Sequence, residues 1–321
     1  MTTQHPHINI PALLRFERSA IAAALNLIED RRPARQVQAL MLLDELNTHP
    51  TPAQVVGITG PPGVGKSSLI SRLIALAARA SKRLGVVAVD PSSKVSGGAL
   101  LGDRGRMHVP AHAPVYIRSF AARDRLGGLS REAFAAVFLL RHICDAVLVE
   151  TVGVGQSETD IVHVADTVVL VIQPFSGDLL QFIKAGVMEI PDVLAVNKAD
   201  DEALARKAMA DVKAALSFER RPWARPVLAV SAATNLHIEA LDTAITTHFS
   251  HQLAGGGIEA KRAEQAVAWA TGEVIHELGR QGLTALGGHA GISSSWSRQP
   301  AAWSETHRLA ALLNTVQYTI R

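Results

Sequence analysis

The stretch Gly60-Pro61-Pro62-Gly63-Val64-Gly65-Lys66-Ser67 most narrows what this chain can fold into. It follows the apolar run 55–59 and opens the apolar helical pattern 68–80. A buried strand, a Gly-rich turn and a helix in that order begin a strand–loop–helix unit of a parallel α/β sheet. The glycines let backbone N–H groups converge on one point, and the helix N-terminus adds a dipole favourable to an anion. The pattern G-x-x-x-x-G-K-[ST] therefore predicts a phosphate cradle running from Gly60 to Ser68. Lys66 is placed to reach the β and γ phosphates, and the Ser67 hydroxyl to bind Mg²⁺.

Five further short runs repeat the strand pattern, at 86–89, 146–149, 168–172, 193–196 and 227–230. Each is nearly continuously apolar, as strands are when helices cover both faces of a parallel sheet. Functional residues then belong in the loops at the strands' carboxyl ends.

Before this region the chain reads as helical to about Asn47. Ile10, Leu13, Leu14, Ala20, Ile21, Ala24, Leu25 and Ile28 form one stripe. Arg31-Arg32-Pro33 breaks that helix, and Val37, Leu40, Met41 and Leu46 mark the apolar face of a second. His49-Pro50-Thr51-Pro52 signals a linker. After it, Ala254-Gly255-Gly256-Gly257 reads as a flexible joint, followed by a helical stripe of Ala263, Val267, Ala270, Val274 and Leu278. Residues 287–297, rich in Gly and Ser, read as irregular. The expected division is a helical extension at 1–50, an α/β domain at 51–252 and a helical arm with a tail at 253–321.

Asn197-Lys198-Ala199-Asp200 follows the strand at 193–196. A carboxylate there accepts two hydrogens from guanine, at N1 and the exocyclic N2. Adenine has an acceptor at N1 and no N2 amine, so it would leave the carboxylate unmatched. Asn197 is expected to orient the loop, and the Lys198 stem to cover the ring face. Ser231-Ala232-Ala233, after the last strand, fits a second base loop whose backbone N–H meets guanine O6. The nucleotide read from these residues is GTP.

The strand at 146–149 runs into Glu150-Thr151-Val152-Gly153-Val154-Gly155-Gln156-Ser157-Glu158, a carboxylate and a Gly-rich turn where a γ-phosphate is sensed. Asp90, Asp103 and Glu150 are the carboxylates available to Mg²⁺, directly or through water. Glu150 or Gln156 alternatively orients the attacking water. Arg104 and Arg106 are candidates for an arginine that neutralises transition-state charge. Without one, intrinsic hydrolysis is slow, and a partner could accelerate it by about 10³ or more.

Composition removes other classes. Lys and Arg exceed Asp and Glu by only three, with no basic block of the nucleic-acid-binding kind. The single Cys144 excludes an intrachain disulfide or a multi-Cys metal site, fits a reducing cytosol, and reads as a buried structural thiol. The most apolar stretch, 134–149, is interrupted by Arg141, His142 and Asp145, so no membrane span is expected. Residues 1–7 carry no apolar signal core, and the expected location is the cytoplasm. His108 and His112, flanking Pro110, read as surface residues. Trp269, Trp296 and Trp303 read as packing residues.

Together these residues resemble the MeaB/ArgK-type GTPases, relatives of the methylmalonic aciduria type A protein. The matching stretches are Gly57 with the phosphate loop, Val89-Asp90-Pro91-Ser92-Ser93, Gly102-Asp103-Arg104 with Arg106-Met107, and Leu126-Gly127-Gly128-Leu129-Ser130. Others are the Glu150 run, Gly177-Asp178, Gln181 with Ile183-Lys184-Ala185-Gly186, Asn197 to Asp200, and Ile258 with Lys261-Arg262 and Gln265. The resemblance implies a GTPase that gates adenosylcobalamin loading and protection of a cobalamin-dependent acyl-CoA mutase, usually methylmalonyl-CoA mutase. It also implies a homodimer joined through the C-terminal arm. It places three mobile regions on the loop around Asp103, on Glu150 to Glu158 and on the segment around Gly177 to Lys184, and implies that this last segment, with Asp178, Gln181 and Lys184, communicates with the mutase. The chain departs from the family pattern at Leu179, where a carboxylate is usual, and at His142-Ile143-Cys144-Asp145.

Two other readings use the same loops. A nucleotide-dependent kinase regulating periplasmic lysine, arginine and ornithine transport would need ATP, which Asn197 to Asp200 disfavour. A metal-delivery GTPase usually relies on Cys/His clusters, which one cysteine does not provide.

Overall fold

The computed structural model describes residues 8–51, 53–91, 107–122, 129–151, 160–174, 189–217 and 222–298. These divide into two compact units, one of residues 52–258 and one combining residues up to 51 with those from 259 onward.

The larger unit is built on a seven-stranded sheet in the order β3-β2-β4-β1-β5-β6-β7, with every pair parallel. The strands are β1 (Gln54–Thr59), β2 (Leu84–Pro91), β3 (Val115–Ala122), β4 (Ala146–Glu150), β5 (Thr167–Ile172), β6 (Val193–Val196) and β7 (Val227–Ala229). Six of them fall on the expected apolar runs, within two residues at each end. β3 carries Arg118 and Ser119 in its middle, both half-buried, and lies at the sheet edge. Its mixed pattern follows from that position, because an edge strand needs no continuous apolar run.

Side chains alternate between the two faces of the sheet. Val56, Ile58, Val169, Val171 and Val193 join Leu69, Leu73 and Ile74 of helix α4 (Lys66–Arg79) and Leu241 and Ile245 of helix α7 (Ile238–Ala254) in one core. On the other face, Leu170, Ile172, Leu194 and Val196 pack with Val212 of helix α6 (Glu202–Leu216). Helix α5 (Arg131–Ile143) covers β2 and β4. At Gly57 an added Cβ would lie 2.4 Å from Ile161, so glycine lets the short helical turn Ile161–His163 seat directly on β1. Each fully buried Ile or Leu here contributes roughly 1.5–3 kcal/mol.

Cys144 ends α5 and is fully buried, as a structural thiol should be. Burial pushes its pKa above the usual thiol range. His108 and His112 are exposed.

In the second unit, helices α1 (Ile10–Leu14), α2 (Arg18–Glu29) and α3 (Pro33–Leu46) pack on one another through Leu13, Ile21, Leu25, Leu43 and Leu46. The single helix expected before Arg31 is two, because Phe16 adopts a left-handed φ of 62°. Asn9 caps α1, its side chain accepting from the Ala12 N–H at 3.0 Å. Val37 and Met41 do not join the buried face of α3; they are 44% and 62% exposed. Its core side is Ala39, Leu40, Leu42, Leu43 and Leu46.

The expected joint at residues 254–257 narrows to Gly255 and Gly256, and helix α8 (Gly257–Ala285) begins at once, broken at Gly279 with φ 68°. Val267, Ala270 and Val274 are buried as expected, and Trp269 with them, whereas Ala263 is exposed. Residues expected to be irregular form helix α9 (Gly288–Arg298) instead. Arg262 donates to the Thr51 hydroxyl at 3.0 Å within this unit. No helix among the described residues is long and apolar enough to cross a membrane.

Candidate functional site

β1 lies between β4 and β5 at the centre of the sheet, and the loops leaving the carboxyl ends of these strands share one edge. That edge is where ligands bind in open parallel sheets. Gly60, Gly63 and Gly65 adopt φ of 141°, 77° and 93°, values that side chains rarely take. At Gly60 an added Cβ would meet the Val171 carbonyl at 2.1 Å, so the loop lies hard against β5. At Gly63 it would meet nothing within 4 Å, which leaves that side of the turn open.

Gly65 caps α4, placing Lys66, Ser67 and Ser68 in the first helical turn. Lys66 is only 7% exposed, and its ammonium donates to the carbonyls of Gly60 (2.7 Å) and Pro61 (3.0 Å). The positive charge is thereby held against the loop that the glycines shape. Ser67 Oγ donates to Glu150 Oε1 at 2.8 Å, across 83 residues of chain. Glu150, 5% exposed, is the last residue of β4. Thr151 pins that strand end, donating from Oγ1 to Thr59 Oγ1 at 3.1 Å and from its N–H to the Ile58 carbonyl at 3.3 Å. A hydroxyl and a carboxylate converging at a helix N-terminus form a hard-oxygen donor set of the kind Mg²⁺ takes. The residues present fit that ion.

The loops after β6 and β7 join the same structure. Asn197, 2% exposed, donates from Nδ2 to the Val64 carbonyl at 2.7 Å and accepts at Oδ1 from the Ala232 N–H at 3.2 Å. One amide thus ties the phosphate loop, the loop after β6 and the loop after β7. Lys198, at φ 59°, donates to the Gly63 carbonyl at 2.7 Å. An added Cβ on Gly65 would lie 2.5 Å from Asn197 Nδ2, so glycine permits this approach. Ser231, fully buried, donates from Oγ to Asp200 Oδ1 at 2.7 Å, while the exposed Asp200 faces outward.

Lys66, Ser67, Glu150, Asn197, Lys198, Asp200, Ser231, Ala232 and Ala233 are therefore gathered at one sheet edge, as their strand-end positions require. Asp90 is the penultimate residue of β2, and its side chain lies outside the described ones. Asp103, Gln156, Asp178, Gln181 and Lys184 lie outside the described residues, as do Arg104, Arg106 and Leu179.

Two residues of the site carry no motif signal. Arg72 of α4 donates from Nε to the Ala232 carbonyl (2.6 Å) and from Nη2 to the Ala233 carbonyl (2.9 Å). Ser71 donates to the Ser67 carbonyl at 2.9 Å and accepts from the His108 N–H at 3.2 Å. Ser67 apart, their partners are distant in sequence, and no local pattern announces them.

Among known proteins, a Pyrococcus horikoshii protein named by inference as a GTPase is 42% identical over 260 residues, covering 79% of this chain and 80% of its own. The mitochondrial methylmalonic aciduria type A homolog of Caenorhabditis briggsae is 34% identical, over 83% of this chain and 69% of its own. A crystal structure named as a LAO/AO transport system kinase superposes with a TM-score of 0.68 at 27% identity, covering 95% of this chain and 96% of that one. The family model described as methylmalonyl Co-A mutase-associated GTPase MeaB matches residues 21–285. With this match over most of its length and these relatives, the chain belongs to the MeaB family of P-loop GTPases.

Proposed function

We propose that this chain is a Mg²⁺-dependent GTPase that gates adenosylcobalamin loading and protection of a cobalamin-dependent acyl-CoA mutase, most directly methylmalonyl-CoA mutase. The observation that carries the reading is Asn197, whose side chain binds both the phosphate loop and the Ser231 loop. Base and phosphate recognition are thereby built as one rigid piece. The family description and the name of the Caenorhabditis briggsae relative support the mutase as partner.

In this reading the N–H groups around Gly63 to Ser67 cradle the phosphates, with Lys66 neutralising the β and γ oxygens. Asp200, oriented by Ser231, accepts from guanine N1 and N2. Ser67 and Glu150 would hold Mg²⁺, with Asp90 and Asp103 available to complete the set directly or through water; once bound, the ion would supply neutralisation of phosphate charge. Glu150 or Gln156 orients the water whose oxygen attacks the γ-phosphorus. The bond to the β–γ bridging oxygen breaks, its electrons stay on GDP, and the water's protons leave with phosphate and solvent.

Around this centre we assign residues 1–50 as the N-terminal extension, 51–252 as the GTPase domain and 253–321 as a homodimerising arm and tail. Asp178, Gln181 and Lys184 signal to the partner. The protein acts in the cytoplasm, with no role for nucleic acid or membrane.

The transport-kinase alternative, raised again by the name of the solved relative, requires ATP. Competition binding separates the two: GTP displaces a labelled guanine nucleotide, and ATP does not at a hundredfold excess, on the order expected where a buried polar match is lost. Loading of adenosylcobalamin onto apo-mutase should then depend on GTP. Equal competition by ATP would overturn the base assignment, and GTP-independent loading the chaperone role.

A further inference from the structure

We propose that Arg72 is a positioning residue for base recognition, holding the peptide that presents the Ala233 N–H to guanine O6. The inference rests on the guanine reading of Asp200 and extends it to a residue of the phosphate-binding helix.

The turn after β7 is fixed group by group. The Ser231 carbonyl accepts from the Leu236 N–H at 3.0 Å, and the Ala232 N–H goes to Asn197 Oδ1 at 3.2 Å. The Thr234 N–H goes to Ser231 Oγ at 3.1 Å. Arg72 takes the Ala232 and Ala233 carbonyls with two arms of one planar guanidinium. Such a fork imposes direction as well as attraction.

Direction matters here because C=O and N–H point opposite ways across a trans peptide. Drawing the Ala232 carbonyl toward α4 turns the Ala233 N–H away from it. Among the described residues no acceptor is bonded to that N–H, and Ala233 is exposed. The N–H groups on either side, of Ala232 and Thr234, are both engaged, so between them this donor is the one left to a ligand. Asp200, which reads N1 and N2 on the same edge of the purine as O6, is bonded to Ser231 of the same turn. The donor and the carboxylate are thus held in one register.

Arg72 also sits five residues beyond Ser67 on α4. The helix that carries the metal-binding hydroxyl at its N-terminus therefore fixes the base loop with its second turn. Ser71 joins it to His108, where the described chain resumes before β3. Movement of α4 would shift the O6 donor and the phosphate groups together.

The test compares binding of GTP and 6-thio-GTP, which keeps N1–H and N2 but replaces O6 with a weakly accepting sulfur. In Arg72→Ala, GTP affinity should fall about tenfold and 6-thio-GTP affinity by less than about threefold, narrowing the gap between them. The loss should appear in KM, with kcat at saturating GTP within about twofold, since Arg72 touches no phosphate-binding group. Arg72→Lys keeps the charge but cannot bridge both carbonyls, and should give the same ordering at smaller amplitude, so the test survives poor folding of the alanine variant. Equal losses for both nucleotides, or no loss for GTP, would overturn the proposal. A wild-type protein without preference for GTP over ATP would instead overturn the guanine reading, leaving the two failures distinguishable.

Discussion

Ser67 Oγ and Glu150 Oε1 lie 2.8 Å apart, joining the first turn of the phosphate-binding helix to the end of the strand beside it. The hydroxyl donates to a carboxylate that is almost fully buried. Both groups present oxygen to the same point, and a divalent cation entering there would replace the proton that now links them.

Removing the hydroxyl isolates this contact. Ser67→Ala should weaken GDP and GTP binding at least about tenfold in Mg²⁺ and leave binding in EDTA within about twofold, because only the metal-linked part of the affinity depends on that oxygen. Titration calorimetry in the two buffers measures it. Equal losses in both would place Ser67 in loop structure and not in metal binding.

Asp200 tests base reading by exchange of hydrogen-bond character. Asp200→Asn replaces an acceptor with an amide that can donate, so it should lower GTP affinity by about 10² and raise xanthosine triphosphate affinity above that of GTP. Nucleotide competition on one preparation reads both. Ser231 Oγ now donates to Asp200 Oδ1 and can still donate to the Asn oxygen, which keeps the loop in place.

Gly65 joins the phosphate and base loops by having no side chain. Its φ of 93° and the 2.5 Å approach of Asn197 Nδ2 make alanine costly on both counts. The left-handed backbone alone costs about 1–2 kcal/mol. Gly65→Ala should therefore weaken nucleotide binding while thermal denaturation shows a domain that still folds. Gly63→Ala, with open space around its Cβ, should be milder.

Cys144 makes a separate prediction about the core. Burial raises its folded pKa, so in the native protein the thiol keeps its proton above the pH at which an unfolded thiol loses it. Above that unfolded pKa the native state binds more protons than the unfolded state, and this group's contribution to stability falls as pH rises. Iodoacetamide at pH 8.5 should leave the native thiol unmodified and label it upon unfolding in urea. Native labelling at the unfolded rate would show that the α5–sheet contact opens readily.

How much of this could be read in advance follows from how each part is held together. Six strands were legible because their runs are nearly continuously apolar, most fully where both faces are buried, as in Thr167–Ile172. β3 was not, because Arg118 and Ser119 suit an edge and look like a loop. α9 was hidden by Gly and Ser composition, although helix needs only permissive φ and ψ. Val37 and Met41 fit an apolar stripe by spacing, yet the buried face of α3 runs through Leu42 and Leu43 instead. In the site, motif residues could be found because chemistry fixes their spacing along one loop. Arg72 and Asn197's bond to the Val64 carbonyl could not, because they join segments 160 and 133 residues apart.

The central claim is that this nucleotide site serves a mutase, and the most direct measurement is the rate of GTP hydrolysis with and without purified cobalamin-dependent acyl-CoA mutase. Slow intrinsic turnover should rise about tenfold or more on adding the cognate mutase, as when a partner completes a GTPase site. Glu150→Gln should abolish the rise while retaining GTP binding. Turnover unchanged by every such mutase from the same genome would contradict the claim.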